Sequence, residues 1–274
     1  MPHTLTEVQA KAQRIELQTP SGLQVWHVWN RDAGQPLVLM HGGSGSWNHW
    51  LRNVLPLSRD RAVWALDTPG LGDSALPPEA VDANDLHGPL EQGLQLLFAD
   101  QALDIVGFSF GGLVAGFLAA SYTQRVKRLV LVGIPGLGLS NQIVNMRGFR
   151  ADMTQQQRYE VHRNNLLAIM LHDDALITQE LLEMQEHNVQ RDRLRRRRIA
   201  RSDAMLKLQT HWQCPVYGIW GEHDALYKGS LHQIQTLLSG CDLRAFHVVP
   251  DAGHWVAYEN AQTFNELLLN CLTD

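Results

Sequence analysis

A serine with glycines two residues to either side marks where this 274-residue chain could do chemistry: Gly107-Phe108-Ser109-Phe110-Gly111-Gly112. The hexapeptide follows an apolar run at 103–106 and opens a helical pattern at Leu113-Val114-Ala115. On a sharp strand-to-helix turn, side chains at the flanking positions collide with their surroundings, so glycine is required there. Such a turn lifts Ser109 Oγ clear of the sheet, and the helix N-terminus beneath adds positive potential. A serine hydroxyl is a poor nucleophile until a base takes its proton. Thirteen histidines compete for that task. His254, in Pro250-Asp251-Ala252-Gly253-His254-Trp255, follows the run 245–249 and so shares a sheet edge with Ser109. His27, His172, His187, His232 and His247 fall inside expected strands or helices and read as structural or solvated. The base needs a carboxylate to hold its tautomer and stabilise the imidazolium. Asp224, closing Ile219-Trp220-Gly221-Glu222-His223-Asp224 after another strand, is preferred to its neighbour Glu222. The order Ser109, Asp224, His254 is that of a nucleophile on an elbow, unlike the orders of chymotrypsin or subtilisin.

A tetrahedral intermediate also needs donors for its negative charge. Phe110 N–H, next to the nucleophile, is one, and Gly43 N–H in His41-Gly42-Gly43-Ser44-Gly45 is the natural second. Losing one such donor typically costs about 10²–10³ in turnover. In this loop the backbone is expected to matter more than the His41 imidazole. Gly42, Trp47, Phe108 and Trp255 are the candidate pocket walls, and aromatic rings facing a site together suit an apolar or aromatic acyl group.

Positioning these groups requires a sheet. Alternating runs at 13–19 and 23–30, separated by Pro20-Ser21-Gly22, predict a hairpin. Short, nearly continuous apolar runs follow at 36–40, 62–66, 103–106, 129–134, 216–220 and 245–249. Such runs suit strands covered on both faces. Helical patterns at 48–57, 85–98, 112–122, 230–238 and 261–272 supply the crossovers. The expected class is α/β: a mostly parallel eight-stranded sheet with helices on both faces. Between 139 and 211 no convincing strand occurs, and helical stretches stand at 153–164, 166–172, 178–189 and 192–208. This predicts a helical cap inserted into a core of residues 1–138 and 212–274, seated on the sheet edge where open α/β sheets bind ligands.

Composition narrows the function. A net charge of −5 argues against general nucleic-acid binding, which leaves a basic footprint. The apolar stretches fall well below the roughly 20 residues of a membrane span, and residues 1–18 carry no signal-peptide pattern. Cys214, Cys241 and Cys271 are odd in number and widely spaced, which fits a reducing compartment rather than a disulfide framework. The expectation is a soluble, cytoplasmic protein. No dinucleotide fingerprint, P-loop or His-Glu-x-x-His occurs, so neither nucleotide nor metal is inferred and no cofactor is expected. The expected partner is a small-molecule substrate, with no nucleic acid and no membrane; pairing as a homodimer is left open.

Five ordered segments carry a resemblance: His41-Gly42-Gly43, Asp67-Thr68-Pro69-Gly70-Leu71-Gly72-Asp73-Ser74, the 107–112 hexapeptide, Gly221-Glu222-His223-Asp224 and Gly253-His254. Together they resemble the α/β-hydrolase superfamily over nearly the whole chain. The resemblance implies that Asp67 and Asp73 shape a loop. Dehalogenase and epoxide-hydrolase members carry aspartate at the Ser109 position, so serine implies acyl chemistry or C–C cleavage of a vinylogous diketone. His254-Trp255, Tyr258-Glu259-Asn260, Phe264 and the pattern Trp47, Arg52-Asn53 are similar to the meta-cleavage-product C–C hydrolases. Those enzymes commonly place Asn before the serine, where this chain has Phe108, and a lid arginine where it has Met184-Gln185. The leading expectation is therefore a carboxylesterase-type serine hydrolase. C–C hydrolysis of 2-hydroxy-6-oxo-dienoates is the main alternative, and acyl transfer or a non-catalytic small-molecule receptor stands behind it. The run Arg191, Arg193, Arg195, Arg196, Arg197, Arg198 and Arg201 reads as a solvated helix face, or else as one or two arginines turned inward to hold a carboxylate.

Overall fold

A computed structural model describes residues 3–139, 144–194 and 196–273. Eight strands form one sheet: β1 Gln13–Thr19, β2 Gly22–Trp29, β3 Leu37–Met40, β4 Val63–Asp67, β5 Leu103–Phe108, β6 Val126–Val132, β7 Val216–Gly221 and β8 Leu243–Val249. Their order is β1-β2-β4-β3-β5-β6-β7-β8. The β1–β2 and β2–β4 pairs are antiparallel, and every other pairing is parallel. This is the mostly parallel eight-stranded α/β sheet that the alternating pattern predicts.

The apolar runs are continuous because both sheet faces are covered. In β3, Val38 and Met40 enter one core while Leu37 and Leu39 enter the other. β4 and β6 split in the same way, Trp64 and Leu66 against Val63 and Ala65, and Leu129 and Leu131 against Val130 and Val132. The helices His87–Phe98 and Phe110–Ser121 close the first core through Leu90, Leu94, Leu113 and Leu118. Val54–Leu57 and Ala261–Cys271 close the second through Val54, Leu57, Phe264 and Leu268. Burying each such side chain contributes roughly 1.5–3 kcal/mol.

Among the described residues, the chain between β6 and β7 carries helices and no strand. Thr154 starts Gln155–Asn165 with a reciprocal capping box involving Gln157, and Thr178 caps Gln179–Gln190. A π turn, Leu166–Met170, continues the first of these helices. The helix expected at 192–208 does not form as a whole: among the described residues only Ile199–Arg201, as a 3-10 turn, and Ala204–Leu208 are helical there. The cause is tertiary. Arg193 N–H donates to Gly70 O at 2.9 Å, and Arg198 N–H donates to Asp82 Oδ2 at 2.6 Å, so these backbone donors are spent on distant acceptors. Successive like charges would also oppose one another at helical spacing. The arginines are consequently placed one by one rather than along a solvated helix face. Arg191 pairs with Asp73 at 3.0 Å, and Arg193 donates to Gly72 O at 3.0 Å. Arg195 and residues 140–143, within the expected cap, lie outside the described residues. Among the described residues no helix is long and apolar enough to cross a membrane.

Candidate active site

Ser109 stands between β5 and the helix Phe110–Ser121 with φ 49° and ψ −117°. This is a costly conformation for a residue with a side chain, and it is held by its neighbours. A Cβ on Gly107 would lie 2.5 Å from Gly112 Cα, and one on Gly111 would lie 2.5 Å from Met40 O. Only glycine lets the helix start this close to the strands. Ser109 N–H donates to Val132 O at 2.8 Å, which ties the elbow to the end of β6.

The loops after β7 and β8 bring up the other two groups. His254 Nε2 lies 2.8 Å from Ser109 Oγ, and its Nδ1 lies 2.9 Å from Asp224 Oδ2. Asp224 Oδ1 accepts from Leu226 N–H at 2.9 Å, so the carboxylate is oriented from both ends. A carboxylate only accepts, so His254 Nδ1 carries the hydrogen and Nε2 is left to accept from the serine hydroxyl. Both His254 and Asp224 are buried. Glu222, the rival carboxylate, is exposed and accepts from Asp251 N–H instead. Gly133, at the end of β6, keeps the relay compact: a Cβ there would stand 3.1 Å from His254 Nδ1 and 3.2 Å from Asp224 Oδ2.

The His41-Gly42-Gly43 loop packs against the elbow, where a Cβ on Gly43 would lie 3.6 Å from Phe110 Cβ. Among the described residues, no hydrogen bond engages the Gly43 or Phe110 N–H. The His41 imidazole contributes more than expected. Its Nε2 accepts from Thr68 N–H at 2.9 Å, so its Nδ1 carries the hydrogen and donates to Gly42 O at 2.7 Å. That neutral ring links the glycine loop to the loop after β4. Asp67 completes the link, accepting from Trp47 N–H and Asp73 N–H, each at 2.9 Å.

Burial sets the charge state of this scaffold. It lowers His27 and His41 to about 4, pushes His49 down as well, and raises Asp67 to about 6. Between pH 6.5 and about 4 the unfolded chain protonates these imidazoles and the native chain does not, so acidification favours unfolding. Asp67 acts oppositely, because native protein holds its proton up to about pH 6. Three imidazoles outweigh one carboxyl. Stability is therefore expected to fall between pH 6.5 and 5 with an uptake of roughly one to two protons on unfolding. Denaturant titrations at pH 7, 6 and 5 measure it; a flat or rising stability would contradict the assignment.

A cavity of about 800 Å³ opens above Ser109 and His254. Gly42, Gly43, Phe108 and Phe110 line it on the sheet side, and Leu166, Ile169, Met170 and Val189 line it from the helical segment. Arg147, Arg197 and Arg201 also reach it, and among the described residues no Asp or Glu does. Arg197 lies over the Phe110 ring at 4.7 Å and pairs with Asp192, which accepts from Ser44 Oγ at 2.6 Å. Trp47 and Trp255 do not line the cavity, contrary to expectation. Trp47 packs on His27 and Trp29, at 5.0 and 5.4 Å. Trp255 packs on His49 at 4.6 Å and donates its indole N–H to His49 O at 3.0 Å. Both rings fill the core behind the site.

Two groups take positions that local sequence does not assign. Glu259 accepts from His172 N–H and Asp173 N–H through Oε1 (2.7 and 2.6 Å), and from Gly253 N–H through Oε2 (2.6 Å). Trp255 N–H donates to Met170 O at 2.7 Å, a second tie between the His254 loop and the π turn. The other group is His162, in the cavity wall, whose only sequence signal is its i,i+4 spacing from Arg158. Among the described residues, Glu222, His223 and Asp251 bring potential metal ligands within 4.8 Å of one another, all of them exposed.

The family model described as "Alpha/beta hydrolase family" matches residues 37–267. The chain is 32% identical over 268 residues to the dihydrolipoyllysine-residue acetyltransferase component of the acetoin cleaving system of Pseudomonas putida. That match covers 89% of this chain but only 65% of the relative's length. It is 26% identical over 269 residues to a 2-hydroxy-6-oxononadienedioate/2-hydroxy-6-oxononatrienedioate hydrolase of Comamonas testosteroni, covering 92% and 93% of the two chains. Among solved structures, a variant of the meta-cleavage product hydrolase CumD superposes with a TM-score of 0.76 at 25% identity, covering 94% of this chain and 97% of that one.

Proposed function

This chain belongs to the α/β-hydrolase family, and from that premise we propose that it is a serine hydrolase of small carboxylic esters. The observation that carries the reading is the continuous relay from Ser109 Oγ through His254 to Asp224, at 2.8 and 2.9 Å, on the floor of a cavity. In the first step Ser109 Oγ attacks the ester carbonyl carbon while His254 Nε2 takes the hydroxyl proton. The carbonyl oxygen becomes an oxyanion within reach of the Phe110 and Gly43 N–H groups. Collapse breaks the C–O bond, and His254 passes its proton to the departing alkoxide. Water, deprotonated by His254, then attacks the acyl-enzyme and releases the acid and Ser109. The helical segment between β6 and β7 acts as a cap that keeps bulk water from this space.

A second reading is C–C hydrolysis of a ring-fission dienoate, and the charge of the cavity favours it. Arg147 and Arg201, with Arg197 beside them in its pair with Asp192, suit an anionic substrate, and guanidinium groups hold carboxylates in bidentate fashion. The relatives named for such hydrolases support it too. There the substrate dienol takes a proton on carbon to form the ketone before the carbonyl is attacked and the C–C bond breaks. Against it, Phe108 stands where those enzymes commonly carry Asn, and Met184-Gln185 where they carry a lid arginine.

One panel separates the readings: 4-nitrophenyl esters of short and aromatic acids beside a coloured 2-hydroxy-6-oxo-dienoate. Nitrophenolate release with kcat/KM well above that for the dienoate is the expected result. Preference for the dienoate would replace the ester reading by the C–C one.

A further inference from the structure

The cavity wall holds a second imidazole–carboxylate pair that the relay does not use. His162, on the helix Gln155–Asn165, is 1% exposed and lines the cavity. Its Nε2 lies 2.6 Å from Glu186 Oε2, on the helix Gln179–Gln190. Glu186 is fully engaged: Oε1 also accepts from Arg158 Nε at 2.7 Å and from Gln190 Nε2 at 2.5 Å. As the carboxylate only accepts, Nε2 carries the hydrogen. Burial pulls the imidazole below its ordinary range, so the ring is neutral and Nδ1 is an unprotonated acceptor. Phe149 packs on the ring at 4.7 Å and Arg158 lies over Phe149 at 4.9 Å, which fixes its plane.

No donor among the described residues reaches His162 Nδ1. One residue before Glu186, Gln185 also lines the cavity, and its Oε1 is buried with no hydrogen-bond partner. A buried acceptor without a donor is costly and rare, and Gln185 Oε1, beside an imidazole nitrogen that also accepts on the same cavity wall, points to a group that arrives with the ligand. An anion cannot be that group, because it has no hydrogen to give; the cavity arginines are its natural partners. A hydroxyl can.

We infer that His162 and Gln185 form a hydroxyl-recognition subsite, so that the preferred substrate carries a hydrogen-bond-donating hydroxyl on its acyl part, away from the carbonyl that Ser109 attacks. This rests on the hydrolase reading above. His162 and Gln185 determine specificity by touching the substrate, while Glu186 and Arg158 are positioning residues that hold the tautomer.

The test uses 4-nitrophenyl esters of ω-hydroxyalkanoic acids of four to eight carbons, each matched with its ω-methoxy and unsubstituted counterparts. The methoxy group keeps the oxygen and removes the donor. At one chain length the hydroxy ester should exceed both counterparts in kcat/KM by about three- to tenfold. His162→Phe, which keeps the ring volume, should abolish that ratio. His162→Asn, whose amide oxygen sits near the Nδ1 position, should retain part of it. Gln185→Leu leaves the His162–Glu186–Arg158 cluster intact and should lower the ratio even if His162→Phe folds poorly. A merely structural pair would lower all three esters alike and leave the ratio untouched. Calorimetric binding of the free ω-hydroxy and ω-methoxy acids to wild type and Gln185→Leu requires no turnover, so it reads the subsite even if ester hydrolysis fails. Absence of any hydroxyl preference in both turnover and binding, or a preference unchanged in His162→Phe and Gln185→Leu, overturns the inference.

Discussion

Ser109→Ala is expected to lower turnover of an activated 4-nitrophenyl ester by about 10⁵–10⁶-fold, leaving only what cavity binding and the oxyanion donors supply. The variant removes one oxygen. Alanine meets the same φ of 49° as serine, the glycines around the elbow are unchanged, and Ser109 N–H still reaches Val132 O. His254 loses its partner on Nε2 but keeps Asp224 on Nδ1. Melting temperature should therefore move little while kcat collapses. Wild-type-like nitrophenolate release from the variant, after removal of trace contaminants, would mean that the nucleophile lies elsewhere.

The second large effect concerns the proton on the imidazole. Asp224→Asn preserves volume, and Leu226 N–H still needs the oxygen at Oδ1. The asparagine NH2 then faces His254 Nδ1, a donor against a donor. The imidazole responds by moving its hydrogen to Nε2, where it can no longer accept from Ser109. A loss of about 10⁴ in kcat follows from the wrong tautomer, with KM nearly unchanged because Asp224 does not line the cavity above Ser109. Steady-state kinetics alongside a melting curve check both halves. A loss below tenfold would show that the carboxylate does not set the tautomer.

The elements behind these expectations are legible because their causes restrict residue type position by position. Gly107 answers to the turn itself, at Gly111 and Gly112, while Gly111 answers to Met40 and His41 and Gly112 to Ile134, and a steric demand of that kind leaves its mark in residue type. The buried strands read as unbroken apolar runs because both faces are covered. The segment 192–198 was illegible for the opposite reason. Its composition suits a helix, yet its donors are taken by Gly70 and Asp82, and no window of local sequence contains that competition. Trp47 and Trp255 misled because adjacency in sequence to a catalytic loop does not fix on which side of the loop a ring packs. His162 was invisible because its meaning depends on Glu186, 24 positions away on another helix.

Glu259 couples two things usually described apart. The same carboxylate that fixes the strand exit before His254 also grips the start of the segment after the π turn, and Trp255 adds a further grip through Met170. The placement of that part of the helical segment and the placement of the His254 imidazole are thereby geared together. A loosening at 171–173 that eased passage of bulky acids would also let the imidazole wander, so gains in entry would be offset by a slower chemical step. Selection for broader substrate range should accordingly act on Val144 and Met146, which border the cavity without holding the base.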